Sequence, residues 1–166
     1  VASHFQARPT GLLRVALRLP IWLYRVHLGR LLGHRFLLLT HRGRKTGRVR
    51  QTVLEVVRYD PATRESVVAA AWANRADWYR NIQARPALRV QTAGVRYTPV
   101  QRFLSPDETY AALRDYERRH PFAARVLGPR LGIPFGRPDT ELRASAASLP
   151  MVGFRPRRPA ERSASG

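Results

Sequence analysis

Apolar positions recur through residues 11–33 as Leu12, Leu13, Val15, Ala16, Leu17, Leu19, Ile21, Trp22, Leu23, Val26, Leu28, Leu31 and Leu32, with Arg14, Arg18, Arg25 and Arg30 set between them. The pattern predicts a helix, too interrupted by charge to span a membrane. Pro20 kinks it or divides it in two. Arg14, Arg18 and Arg25 fall on one face opposite a Leu/Ile/Trp surface, and such a helix either packs on the domain or lies in a membrane interface.

Beyond this segment the apolar runs shorten to strand length. Residues 35–41, with Phe36-Leu37-Leu38-Leu39, predict a strand, and residues 49–59 its partner. A turn at Asp60-Pro61-Ala62-Thr63 leads to a third strand over 66–72, completing an antiparallel meander. Asn74 offers an N-cap for a short helix over 77–82, which Arg85-Pro86 terminates. Two further strands, 88–92 and 95–104, are joined at Ala93-Gly94, where glycine supplies the positive φ of a tight hairpin. Ser105-Pro106-Asp107-Glu108 reads as a capping box with proline at the first helical position, opening a helix with Tyr110, Leu113 and Tyr116 on one side. Pro121 ends that helix, and residues 122–127 begin another helical turn. Gly128, Pro129, Gly132, Pro134, Gly136 and Pro138 predict a loop, and 149–154 a last strand. The organisation expected is a basic amphipathic helical segment over 1–34, one folded domain over 35–154, and a frayed tail over 155–166.

Composition agrees with one folded unit, since 166 residues at 44% hydrophobic content suffice to bury a core. The 30 Lys+Arg against 11 Asp+Glu give a formal charge of +19, which calls for an anionic partner or reflects an arginine-rich composition habit. Absence of cysteine excludes disulfides, thiol catalysis and cysteine metal sites, and makes a reducing cytosol the default. The start lacks the pattern of a cleavable signal peptide, so a cytoplasmic location is expected, with peripheral contact to the inner face of a membrane as its variant.

The densest local signal is Gly43-Arg44-Lys45-Thr46-Gly47-Arg48-Val49-Arg50, which packs four cations, a hydroxyl and two glycines between two predicted strands. Backbone N–H groups and guanidinium forks there converge on an anion, or the segment is an ordinary exposed basic hairpin loop. Catalytic groups are few. The five histidines (His4, His27, His34, His41, His120) show no metal-ligand spacing, and His34 and His41 flank a strand in structural or solvated roles. No nucleophile elbow, Walker loop or dinucleotide fingerprint is present, and Asp107 and Glu108 are helix-start residues. An anion cradle with little catalytic equipment fits a protein whose cofactor carries the reaction.

The run Leu37-Leu38-Leu39-Thr40-His41-Arg42-Gly43-Arg44-Lys45-Thr46-Gly47 with Arg50 resembles the deazaflavin-dependent nitroreductase family, small oxidoreductases that use coenzyme F-420. So does Val67-Val68-Ala69-Ala70-Ala71 followed by Asp77-Trp78-Tyr79-Arg80-Asn81-Ile82-Gln83-Ala84-Arg85-Pro86. The similarity covers residues 31–104 and, more loosely, 105–131. It implies an α+β fold, a split β-barrel of the flavin-reductase/FMN-binding type with antiparallel strands and N-terminal and peripheral helices. It also implies an oxidoreductase that transfers hydride from reduced F-420 to a quinone-like, enone or nitro acceptor. An FMN-binding protein of the same fold is the alternative, and a basic nucleic-acid-binding module the alternative class, although no nucleic acid is expected. By the resemblance, Arg44, Lys45, Thr46, Gly47 and Arg50 hold the coenzyme phosphate, and Ala69, Ala70, Ala71, Trp78, Tyr79 and Asn81 lie along its ring and tail. Glu55, Tyr24, Tyr110 and Tyr116 are candidates for the substrate side; no catalytic residue and no metal ligand is assigned. The partners expected are the coenzyme, a hydrophobic acceptor and a membrane surface met through residues 11–34, with the oligomeric state open. The chain departs from the family in the short segment Trp72-Ala73-Asn74-Arg75-Ala76, and at Val53 and Glu55, where many relatives carry proline and an apolar residue or tyrosine.

Overall fold

The computed structural model describes residues 33–70 and 76–157. The helical segment expected over 1–34, with Tyr24, lies almost wholly outside these residues, as do Ala71, Asn74 and the chain beyond Arg157. Seven strands are formed: β1 Phe36–Arg42, β2 Val49–Asp60, β3 Glu65–Ala69, β4 Arg89–Thr92, β5 Val95–Tyr97, β6 Pro99–Phe103 and β7 Met151–Pro156. Four helices accompany them: α1 Asp77–Ala84, α2 Pro106–Arg119, α3 Pro121–Leu131 and α4 Asp139–Ser148.

The expected meander is present, with β1 and β2 paired from Phe36↔Glu55 to Arg42↔Val49 and β3 antiparallel to β2 beyond a register shift between Val56 and Arg58. The strand expected over 95–104 is two strands. It breaks at Thr98, where Pro99 lacks the N–H a continuing ladder needs. The sheet order is β5-β4-β1-β2-β3-β7-β6, so β5 and β6 sit at opposite edges although one residue separates them in sequence. That is geometrically possible only if the two edges curl around to meet, and the sheet is a nearly closed antiparallel barrel. The β4–β5 turn takes positive φ at both Ala93 (47°) and Gly94 (80°), the twist-matched form of a two-residue hairpin.

Alternation along the strands divides the apolar residues between two cores. Leu37, Leu39, Val56, Val68, Val90, Val152 and Phe154 fill the barrel interior together with Tyr79 and Ile82 of α1. Val67 and Met151 point outward and are covered by Ala112 and Leu113 of α2, Ile133, and Leu142 and Ala146 of α4. Burying each large apolar side chain contributes about 1.5–3 kcal/mol, so β3 and β7, covered on both sides, are heavily anchored strands. One charged group enters this region. Glu65, 6% exposed, receives Arg102 Nε at 2.7 Å and Nη2 at 2.9 Å, and the Arg102 Nη1 also donates to Glu108. Glu108 belongs to the capping box expected at Ser105, with Ser105 N–H donating to Glu108 Oε2 at 2.9 Å and Glu108 N–H to Ser105 Oγ at 3.2 Å.

Two expectations need correction. Gly128-Pro129 lies inside α3 rather than in a loop; Gly132 at φ 69° ends that helix, and the chain turns back so that Ile133 N–H donates to the Gly128 carbonyl at 2.9 Å. A Cβ on Gly128 would sit 2.8 Å from the Ile133 carbonyl oxygen, so glycine there permits the close return. Helix α4, Asp139–Ser148, stands where the sequence predicts no helix, and β7 runs to Pro156, two residues past the strand expected over 149–154.

Candidate functional site

The β1–β2 connection folds back on itself, with Gly43 N–H donating to the Arg48 carbonyl at 2.9 Å and Gly47 N–H to the Gly43 carbonyl at 2.7 Å. Gly47 supplies the positive φ, 67°, that turns the chain. Gly43 is buried, and a Cβ on it would lie 2.9 Å from Thr46 Oγ1 and 3.2 Å from Arg50 Nε. Only a glycine there lets the threonine hydroxyl and the arginine fork draw together above the backbone.

Helix α1 pins this loop to the barrel. It starts at Asp77 with Ala76, not the expected Asn74, in the cap position and no side-chain cap, and it buries Tyr79 and Ile82 while turning Asp77 and Asn81, one turn apart, toward the loop. Asn81 Oδ1 accepts from the Arg44 backbone N–H at 2.9 Å and from Arg44 Nη1 at 3.2 Å. Arg44 Nη1 also donates to Asp77 Oδ1 at 2.9 Å, and this guanidinium holds the Asp77 carboxyl below the usual carboxylate range. Arg44 is thereby matched to an acid. Lys45 and Arg50 make no ion pair or side-chain hydrogen bond with the described residues, and they are the uncompensated cations lining the cavity beside the loop. Between them opens a cavity of about 230 Å³, lined by Gly43, Lys45, Thr46 and Arg50 on one side and Asp77 and Asn81 on the other.

Of the expected coenzyme residues the structure therefore brings Arg44, Lys45, Thr46, Arg50 and Asn81 together, with Gly47 closing the loop. Ala70 lies fully buried at the end of β3, its N–H bonded to the Pro150 carbonyl at 2.9 Å, and Ala69 is half-buried on the outward core. Trp78 is half-buried against the interior core. Tyr79 is itself core, edge-on to Trp78 at 5.9 Å and to Phe103 at 5.8 Å. The substrate-side candidates are not gathered at the cavity. Glu55 is five residues from Arg50 along β2, about 17 Å, and projects to the opposite face. There it accepts from Tyr116 Oη at 3.1 Å and faces Arg35 Nη2 at 3.8 Å. Burial, then the Glu55 charge, pushes the Tyr116 phenol up to about 12. Tyr110 donates to Asp139 and lies under the Arg143 guanidinium, 4.0 Å from its ring centre.

Two residues of the site escaped the sequence reading. The sequence marks Asp77 only as part of a motif, and it gives His41 a structural or solvated role. His41 is 2% exposed and its Nδ1 lies 3.2 Å from Asn81 Nδ2. The series Leu37, Leu39, His41, all on the barrel-facing side of β1, was the available signal.

A barrel that presents a glycine-floored cationic cradle beside a short helix, with few catalytic side chains around it, belongs to the class of cofactor-binding barrels. Residues 17–124, more than half of the chain, match the F420H(2)-dependent quinone reductase family, and the chain belongs to that family. It is a deazaflavin-dependent oxidoreductase whose coenzyme is F-420. Among solved structures, an F420-H2 dependent reductase is similar at 18% identity over 73% of this chain and 94% of that one, with a TM-score of 0.49. A domain-swapped dimer matches at 17% identity over 82% and 99%, with a TM-score of 0.50. A pyridoxamine 5′-phosphate oxidase-related, FMN-binding protein from Nostoc punctiforme matches at 16% identity over 89% and 81%, with a TM-score of 0.47. These are likenesses of fold. No curated protein matches the sequence. The cradle suits the anionic end of such a coenzyme: its acid is already paired, its two spare cations flank the cavity, and its floor is the one residue type that leaves room.

Proposed function

We propose that the Arg44-to-Arg50 loop grips the phosphate of F-420 and that the enzyme reduces a hydrophobic, quinone-like acceptor. Lys45 supplies a mobile point charge and Arg50 a planar fork. Thr46 Oγ1 accepts the Arg48 N–H at 3.4 Å, leaving its hydroxyl proton to donate to a phosphate oxygen. Arg44, held by Asn81 and Asp77, keeps the loop at a fixed distance from α1. When bound, the reduced deazaflavin supplies the hydride. The chain's part is to bind, orient and exclude water. The single observation that carries this reading is the pair of uncompensated cations facing a glycine-floored cavity.

Fluorescence titration with F-420 and, separately, FMN tests it. Tight F-420 binding at low salt is expected, and Lys45→Ala loses about 1.5–3 kcal/mol of it, some ten- to hundredfold in affinity. Binding of FMN alone, or wild-type affinity in Lys45→Ala, would overturn the assignment. Coenzyme oxidation assayed against menaquinone-like, enone and nitro compounds then identifies the acceptor, the quinone being expected fastest.

The acceptor's lipid solubility gives the basic pattern of residues 11–34 a use on an anionic bilayer. No described helix is long and apolar enough to cross a membrane. Co-sedimentation with anionic liposomes is expected to be lost when residues 11–34 are deleted; equal sedimentation of both proteins would refute the surface contact.

A further inference from the structure

His41 stands where the barrel-facing series of β1 runs out beneath the cradle, cross-strand from Arg50. The amide of Asn81 links it to the loop, and that amide has only one workable orientation. Its Oδ1 faces the Arg44 backbone N–H and Arg44 Nη1, groups that can only donate. Its Nδ2 therefore faces His41 Nδ1 at 3.2 Å, and a donor at that distance requires Nδ1 to offer its lone pair. An imidazolium would set N–H against N–H in a buried site. Turning the amide instead would set its NH2 group against the Arg44 N–H, so either way the clamp on the loop is lost.

We propose that His41 is a positioning residue of the cradle: its unprotonated Nδ1 fixes the Asn81 amide, Asn81 holds Arg44, and coenzyme affinity falls when His41 takes up a proton. This rests on the cradle reading above. The charged groups around the imidazole are Arg44, reached through Asn81, Arg50 on β2 and Asp77 on α1; the Arg42 side chain alternates to the other face and meets the imidazole only through its backbone. Arg89 of β4 pairs with Thr40, whose side chain alternates to the other face. Burial is the main influence and lowers the imidazole pKa from 6.5; the hydrogen bond with the Arg42 backbone opposes it, Arg50 reinforces it, and Asp77 opposes it. The clamp is thus assembled at neutral pH and released only below the ordinary imidazole range.

Nitrogen-detected NMR of the coenzyme-free wild-type protein reads the tautomer directly, and amide exchange of Arg44 reads the clamp. Expected are a proton on Nε2 and none on Nδ1, and Arg44 exchange that accelerates as His41 titrates. F-420 affinity of the wild type is expected to fall about tenfold per pH unit below the His41 midpoint, the limiting slope for one linked proton. His41→Asn, which places an acceptor oxygen near the Nδ1 position without a titrating group, should bind F-420 nearly as well at neutral pH and show no such slope. Comparison of the two proteins cancels any titration of the coenzyme itself. A proton on Nδ1, Arg44 exchange indifferent to His41 titration, or equal slopes in both proteins would overturn the proposal. Failure of the wild type to bind F-420 at all would instead sink the cradle reading, while the tautomer and the Arg44 exchange still judge the clamp.

Discussion

Lys45 and Arg50 face the same cavity, and the two side chains across from them, Asp77 and Asn81, are engaged by Arg44 instead. Asn81 shows the difference. The resemblance puts it beside the coenzyme, and in the fold its amide is spent on Arg44 and His41, so it shapes the site from behind. Burial of His41 also has a consequence for stability. Its native pKa lies below the ordinary imidazole value, so in mild acid the unfolded chain binds a proton that the native one resists. Stability is therefore full above the ordinary imidazole pKa, declines as the pH falls through the interval between the unfolded and native values, and levels off below it. Urea midpoints measured across that interval should drop for the wild type and stay flatter for His41→Asn. At this scale the cations of the loop were legible because their density in eight residues is unusual. Asp77 and His41 were not, because their roles come from pairing across 33 and 40 residues of sequence, which spacing does not record.

Among the elements, helix α2 is the one whose start the sequence spells out, and the capping box there does double duty: Glu108 closes the cap and also receives Arg102 from β6. Ser105→Ala removes the acceptor of the Glu108 N–H and should cost about 1 kcal/mol, seen as a lower thermal midpoint with an unchanged spectrum. Gly153 of β7 is a stricter position. A Cβ there would lie 2.6 Å from Glu65 Oε1, and Glu65 cannot swing away because Arg102 holds both its oxygens. Gly153→Ala should therefore destabilise by about 1–3 kcal/mol, the usual range for overpacking a filled core; a denaturant midpoint equal to wild type would contradict this. Helix α4 escaped sequence reading for a plain reason. It buries only Leu142 and Ala146, too little to set up a recognisable period, and its place is set by the surface of α2 that it covers. The break between β5 and β6 was hidden by the opposite effect, since Val95 to Leu104 keeps a continuous strand-like composition and only Pro99 marks the division.

Over the whole molecule, the strand order separates neighbours in sequence and joins segments far apart. The meander was foreshadowed by the short apolar runs of β1 to β3, and the barrel by the family resemblance; the strand order that closes it was not, because it depends on which edges meet rather than on what any strand contains. The place of β7 carries an implication for how the protein comes into being. It lies between β3 and β6, so until residues 151–156 have been synthesised both of those strands present open edges, and the barrel has a gap one strand wide. A nascent chain stalled at residue 150 would expose the buried backbone of β3 as a template for pairing with its neighbours. Correct assembly thus waits on the last described strand, and the interval before it emerges is when this chain most needs protection from its own copies.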